Sequence, residues 1–381
     1  MKTVEATLME QPVLFERIKT ASGHEFGRAT LNATASLNAL TLPMVTLLDE
    51  QLINWANDPT IVGVLLDANG DKAFCAGGDV VSVHHAIRKT PKGEVPVEAC
   101  EFFSREYRLD YRIHTYKKPI ICWAHGIVMG GGVGLMAGAS HRVVTPKTRM
   151  AMPEITIGLY PDVGGSWLLS KLPGKIGPFL AVTGAIINAG DVLFSGLADF
   201  ALEHQHHGEL IAEIEKSSWS GNQSIDGRMV SQLLTGFSRN VVVPEAQLLK
   251  HFGRINEVIG QDGLADMAER LTAMAQDSDP WLSQAAQTFV KGSPSSAVLG
   301  LEMQKRVRLL SLADTFKLEL QASLGCCVHP DFYEGVRALL VDKDKDPHWH
   351  PSKLSEVTPE WIESYLKPRF DGPHPLNDLC A

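Results

Sequence analysis

The stretch KKPIICWAHGIVMGGGVGLMAGA, residues 117–139, decides how the chain is read. Behind Lys117, Lys118 and Pro119, a short apolar run from Ile120 to Ala124 fits a strand buried on both faces. A glycine cluster follows, and MGGGVGLMAGA (129–139) starts a helix rich in small residues. HRVVT (141–145) reads as the next short strand. The same order occurs upstream. IVGVLLDA (61–68) is a nearly continuous apolar run, GDKAFCAGGDV (70–80) is a Gly-rich loop, and 96–117 carry the pattern of a long helix with a charged face. Strand, loop, helix and strand in repetition imply an α/β fold with largely parallel pairing.

Toward the N-terminus, residues 13–19 and 25–33 read as two strands around a turn at Ser22 and Gly23. LPMVTLLDEQLINWAN (42–57) has apolar positions at helical spacing, stopped by Asn57-Asp58-Pro59. Beyond about residue 190 the strand signals fade, and 245–275, 299–323 and 332–341 are amphipathic helical patterns. DKDKDPHWHPSKLSEVTPEW (342–361) is polar and Pro-punctuated, an exposed connection. The expected organisation is an α/β core over 10–235 and a mostly helical region over 236–381. Loops 90–96 and 218–226 are the candidates to cover a site.

The 381 residues are 44% hydrophobic and 21% charged, with 35 Lys and Arg against 44 Asp and Glu, a net charge of −9. A nucleic-acid partner needs a basic face, so none is expected. A local basic pocket for a small anion survives such a total. Cys75, Cys100, Cys122, Cys326, Cys327 and Cys380 show no framework spacing and no CxxC, which reads as free thiols in a reducing compartment. In MKTVEATLMEQPVLFER (1–17), Glu5 and Glu10 precede any apolar run, unlike a secretory signal or an Arg-rich transit peptide. A cytoplasmic protein is expected. No apolar run reaches the ~18 residues of a membrane span, so no membrane partner is expected either.

Two Gly-rich loops follow two buried strands: Ala76-Gly77-Gly78-Asp79 and Gly130-Gly131-Gly132-Val133-Gly134. Glycine lets backbone N–H groups approach a ligand closely, and helix starts leave such groups unpaired. Two donors converging on one point make an oxyanion hole; either loop alone reads first as a tight turn or close helix packing. Gly132-Val133-Gly134-Leu135-Met136-Ala137 also matches the dinucleotide fingerprint GxGxxG/A, with Glu154 about twenty residues on. That acid should end the next strand, yet Glu154 follows Met152-Pro153, so a nicotinamide dehydrogenase is the weaker reading.

In MAMPEITIGLYPDVGGSW (150–167), Glu154 and Asp162 stand in apolar company. They serve either as helix-start and cap residues or as an acid–base pair with pKa values pushed apart by burial. Glu106, in EFFSREYRLDYR, reads by itself as a surface charge. His204-Gln205-His206-His207 and His348-Trp349-His350 lack the partners of a metal motif, and no metal is expected. His84-His85 reads as structural. Lys72, Lys117, Lys118 and Arg149 are solvated surface or phosphate contacts.

Taken together, LNALT (37–41), AFCAGGD (73–79), HGIVMGGGVGL (125–135), MPEITIGLYPDVGG (152–165) and DFYEGVRALLVDKDKDPHWHP (331–351) resemble the crotonase superfamily, and more closely its 3-hydroxyisobutyryl-CoA hydrolase branch. The resemblance covers most of the chain. It implies a crotonase-like spiral of ββα turns followed by helices, an acyl-CoA substrate, no separate cofactor, and a possible homo-oligomer. It implies an oxyanion hole from the amides of Gly78 and Gly131, catalysis by Glu154 and Asp162, and substrate contacts at Glu106, Gly131, Glu154 and Asp162. FFSREY (102–107) matches the branch's FFREEY at Glu106. The hydratases of the superfamily carry a first glutamate where this chain has Gly134. The implied activity is hydrolysis of a short β-hydroxyacyl-CoA, chiefly 3-hydroxyisobutyryl-CoA, in valine degradation. An enoyl-CoA hydratase/isomerase and a non-catalytic acyl-CoA-binding protein of the same fold are the alternatives.

Overall fold

The computed structural model describes residues 11–370 and 372–380. The first ten residues, on which much of the targeting reading rests, lie outside it. The described strands are β1 (Val13–Lys19), β2 (Glu25–Leu31), β3 (Ile61–Ala68), β4 (Ala73–Cys75), β5 (Ile120–Ala124), β6 (Ile127–Met129), β7 (His141–Val144), β8 (Arg149–Ala151), β9 (Ile187–Asn188) and β10 (Phe200–Ala201). They form two sheets, ordered β1-β2-β3-β5-β7-β10 and β4-β6-β8-β9. β3, β5 and β7 lie in the first and β4, β6 and β8 in the second, so the chain steps from sheet to sheet on every turn. This is the expected ββα spiral. Pairing is parallel except at the edges, where β1 meets β2 and β8 meets β9 antiparallel.

The step from β5 to β6 turns on Gly126, at φ +62°, where a Cβ would strike the carbonyl of Lys72. Only glycine combines that backbone with that contact. β3 and β5 are buried along almost their whole length, which explains their unbroken apolar sequence. The helix Leu42–Asn57 is capped by Thr41 and carries Pro43 in its first turn, and the long helix spans Val97–His114.

C-terminal helices complete the core. Leu312–Val328 packs along Val97–His114, and Pro330–Val336 packs against the turn Glu154–Ile157. One apolar cluster therefore runs from Val13 to Leu379, with Trp55, Phe74, Phe103, Tyr160 and Phe316 fully buried in it. A second cluster lies on the other face of the first sheet, where Phe26, Ile121 and Trp123 meet Leu210, Ile214, Val230 and Leu234. The last four belong to the helices His206–Lys216 and Gln223–Ser238. Residues 218–226, read as a loop, thus end in a helix start capped by Asn222 on that face. The pattern at 299–323 is two helices, Pro294–Val307 and Leu312–Val328, and 245–275 holds three short ones, Gln247–Lys250, Phe252–Ile259 and Leu264–Met274. No described helix is long and apolar enough to cross a membrane.

Candidate active site

β4 and β6 are neighbours, and each runs straight into a glycine loop. The first loop is stitched to residues 37–41: the Leu40 amide donates to Gly77 O and the Asp79 amide to Leu40 O, both at 2.8 Å. Gly77 takes φ +113°, and Asp79 caps the helix Val80–Lys89 by accepting from the Ser82 amide at 3.1 Å. In the second loop, Gly130 takes φ +48° and Gly131 opens the helix Gly131–Ala137. That helix sits directly on β4, since a Cβ on Gly132 would lie 2.5 Å from the carbonyl oxygen of Cys75. The two loops meet: a Cβ on Gly131 would lie 3.4 Å from the Gly78 nitrogen. Among the described residues, neither the Gly78 nor the Gly131 N–H has a hydrogen-bond acceptor.

Both glycines line a cavity of about 240 Å³ with Phe102, Glu106, Glu154, Asp162, Leu339 and Leu340 among the other walls. The cover therefore comes from the C-terminal region, and residues 90–96 and 218–226 are not part of it. Glu154, 4% exposed, starts a tight 3₁₀ turn, Glu154–Ile157. One oxygen lies 3.3 Å from where a Cβ on Gly130 would be; the other is buried without a partner. Asp162, also 4% exposed, accepts a 2.6 Å hydrogen bond from the Tyr107 hydroxyl. Glu106 is 2% exposed on the inner face of the long helix, not on the surface, and its unpartnered oxygen lies 2.5 Å from a Cβ position on Gly131. The structure thus brings Gly78, Gly131, Glu106, Glu154 and Asp162 to one cavity.

Among the described residues, no lysine, arginine or histidine lines that cavity. Burial, then the charge of Asp162, pushes the Glu154 and Glu106 carboxyls well above the usual range. Burial also raises Asp162, to about 6, against the lowering hydrogen bond from Tyr107. Three close acids with unequal proton affinities can hold and pass a proton near neutral pH.

Sequence reading missed two further acids. Asp110, one turn after Glu106, is fully buried with both oxygens unpartnered. A Cβ on Gly134 would lie 2.8 Å from its Oδ2 and 2.8 Å from Cβ of Val163, so position 134 has no room for a side chain. Glu319 accepts from the amides of Gly164 (2.7 Å) and Ser166 (3.2 Å) and from the Ser166 hydroxyl, which fixes the turn carrying Asp162. The helical period from Phe102 through Glu106 to Asp110 was the available signal for the first. Nothing local pointed to the second.

Of the other candidates, the fingerprint Gly132 packs its helix on β4 and Gly134 packs it against Asp110 and Val163, and Glu154 lies beyond the end of β8 with its carboxyl in the cavity. His207 bonds Asp67 at 2.9 Å, and His84 stacks on Tyr333. Lys118 donates to the Asp58 carbonyl oxygen at 2.7 Å, while Arg149 lines an adjoining cleft of about 730 Å³ that shares Met129, Pro153 and Thr156 with the cavity.

The sequence profile of the enoyl-CoA hydratase/isomerase family matches residues 26–366. A 3-hydroxyisobutyryl-CoA hydrolase, mitochondrial, of Gallus gallus is 37% identical over 90% of this chain and 86% of its own. Its counterpart from Danio rerio is 36% identical over 92% and 88%. Among solved structures, a carnitinyl-CoA dehydratase from Mycobacterium thermoresistibile superposes with a TM-score of 0.83 at 35% identity, covering 97% of this chain and all (100%) of that one. Paired glycine loops over a buried acid cluster and this breadth of likeness agree: the chain belongs to the enoyl-CoA hydratase/isomerase family, in its 3-hydroxyisobutyryl-CoA hydrolase branch.

Proposed function

We propose that the protein hydrolyses a short β-hydroxyacyl-CoA thioester, 3-hydroxyisobutyryl-CoA first, to the free hydroxy acid and CoA, a step of valine degradation. The observation that carries this is the pair of unpartnered amides, Gly78 and Gly131, facing the buried carboxyl of Glu154. Those amides would hold the thioester oxygen as it becomes an oxyanion; one such donor is typically worth about 10²–10³ in rate. Glu154 would either take a proton from the attacking water or attack the carbonyl carbon itself to give a transient anhydride. Asp162 would orient water or the substrate hydroxyl and assist protonation of the leaving thiolate. Glu106 offers the substrate hydroxyl a polar partner, since an unpaired buried group costs ~1–3 kcal/mol. CoA leaves as part of the substrate, and no further cofactor is required. Single turnover in ¹⁸O-water separates the two routes, because only the anhydride route labels the Glu154 carboxylate.

A second reading, reversible loss of water from a β-hydroxyacyl-CoA, is favoured by the name of the M. thermoresistibile structure. The absence of room for an acid at position 134 weighs against it. One assay decides: free-thiol release from 3-hydroxyisobutyryl-CoA, with enoyl-thioester absorbance followed alongside and crotonyl-CoA as control. Thiol release without an enoyl product supports hydrolysis, and the converse supports the dehydratase. The six cysteines are all unpaired, which fits a reducing interior. The relatives named as mitochondrial support an organelle, beside the cytoplasm, as a site of action for it.

A further inference from the structure

Leu339 and Leu340 are consecutive residues, yet both line the cavity. On an α-helix neighbouring side chains diverge by about 100°. Here the last turn widens to a π-helix, Arg337–Val341, closed by the Asp342 amide on Arg337 O at 2.8 Å. Such single π turns recur at functional sites. The turn is held from outside by Arg337, whose guanidinium meets Glu334 and Asp342 at 2.8 Å and Asp344 at 2.5 Å. From inside, Pro330–Val336 packs so closely on the Glu154 turn that a Cβ on Gly335 would collide with the backbone of Ile157. The two leucines are therefore fixed relative to Glu154.

They remain 37% and 38% exposed. Two large apolar side chains stand open beside Val80, Phe102 and Ile157, and no described residue covers them, so they offer an apolar wall to a ligand. The cavity they bound, about 240 Å³, is smaller than the ~300–1,000 Å³ of common ligand pockets. We propose that Leu339 and Leu340, held by the Arg337 ion-pair network, are specificity-determining residues that limit the site to short acyl groups. This rests on reading the site as one for acyl-CoA.

The test compares 3-hydroxyisobutyryl-CoA with 3-hydroxyoctanoyl-CoA in the full-length protein and in Leu339→Ala, Leu340→Ala, Leu339→Phe and Arg337→Gln. Binding of S-butyl-CoA and S-octyl-CoA thioethers is measured in parallel and needs no turnover. Buried methylenes contribute about fourfold each. Both alanine variants are expected to raise the long-to-short ratio of kcat/KM, and of thioether affinity, by about tenfold or more. Arg337→Gln should move it the same way and Leu339→Phe the opposite way, so that a loss of folding cannot imitate the pattern. Ratios unmoved in the alanine and phenylalanine variants would overturn the proposal, as would a uniform loss across chain lengths, the mark of a contact to the CoA arm. If the wild type hydrolyses neither thioester while thioether binding shows the ordering, the hydrolase reading falls and the size limit stands.

Discussion

Glu154 is the residue on which turnover is expected to depend most. Glu154→Gln keeps the size of the side chain and removes both base and nucleophile. A loss of about 10²–10⁴ in kcat is expected, with CoA affinity within a few-fold of wild type, by thiol release and calorimetric titration. Undiminished turnover would end the assignment. Tyr107 gives a finer test. Its hydroxyl, 2.6 Å from Asp162, lowers a pKa that burial has raised to about 6. Tyr107→Phe removes the lowering influence, and with Asp162 as the proposed proton donor to the leaving thiolate, the alkaline limb of kcat/KM should move to higher pH in a rate–pH profile. A limb that stays in place would detach Asp162 from the chemistry. Four of these residues were legible in the sequence because each stands out from its neighbours: Gly78 and Gly131 sit in glycine runs, and Glu154 and Asp162 in apolar ones. Glu106 looked like surface because its helix carries charges on both sides, and only the family resemblance marked it. Tyr107 and Asp110 needed the helical period read through Phe102, Phe103 and Glu106, all on one buried face.

At the level of elements, the helix Gly131–Ala137 is wedged between β4 and the long helix, and its glycines record how little space remains. Gly134→Ala would place a methyl group against Asp110 and Cβ of Val163. Overpacking of this kind costs about 1–3 kcal/mol, so urea unfolding should show a lower midpoint with an unchanged slope. A variant as stable as wild type would mean that the Asp110 carboxyl moves aside freely. The long buried strands β3 and β5 were readable, whereas β4, β6 and β8 were not. Three residues each are too few to show a period: β4 read as part of a glycine loop, and β6 and β8 were not picked out as strands. The single pattern at 299–323 misled for a different reason. Leu309 and Leu310 continue the apolar spacing, but Leu309 is 93% exposed at a break. The break is set by Ser311, whose hydroxyl accepts from the Asp314 amide at 3.1 Å and starts a new helix.

Across the whole molecule, the acid cluster ties stability to pH. Burial raises Asp162 from 3.8 to about 6 and Glu319 from 4.5 to about 8. A raised native pKa means that the folded state binds the proton more tightly. The stabilisation is complete below the unfolded pKa, near 4, and is lost as pH rises through about 6 and then about 8. For Asp162 the shift corresponds to about 3 kcal/mol. Melting temperature without substrate should therefore fall as pH rises through this window. Glu106→Gln, which removes one buried acid from the cluster, should flatten the fall; a melting curve indifferent to pH in both proteins would contradict this account. Glu319 has one more consequence. It lies 155 residues after Gly164, whose amide it holds. A ribosome has delivered both glycine loops and Glu154 long before that carboxylate is made. The turn bearing Asp162 must wait for the far half of the chain, so competence comes late in translation, and a product truncated ahead of Leu312 would carry both glycine loops, Glu154 and Asp162 and do no work.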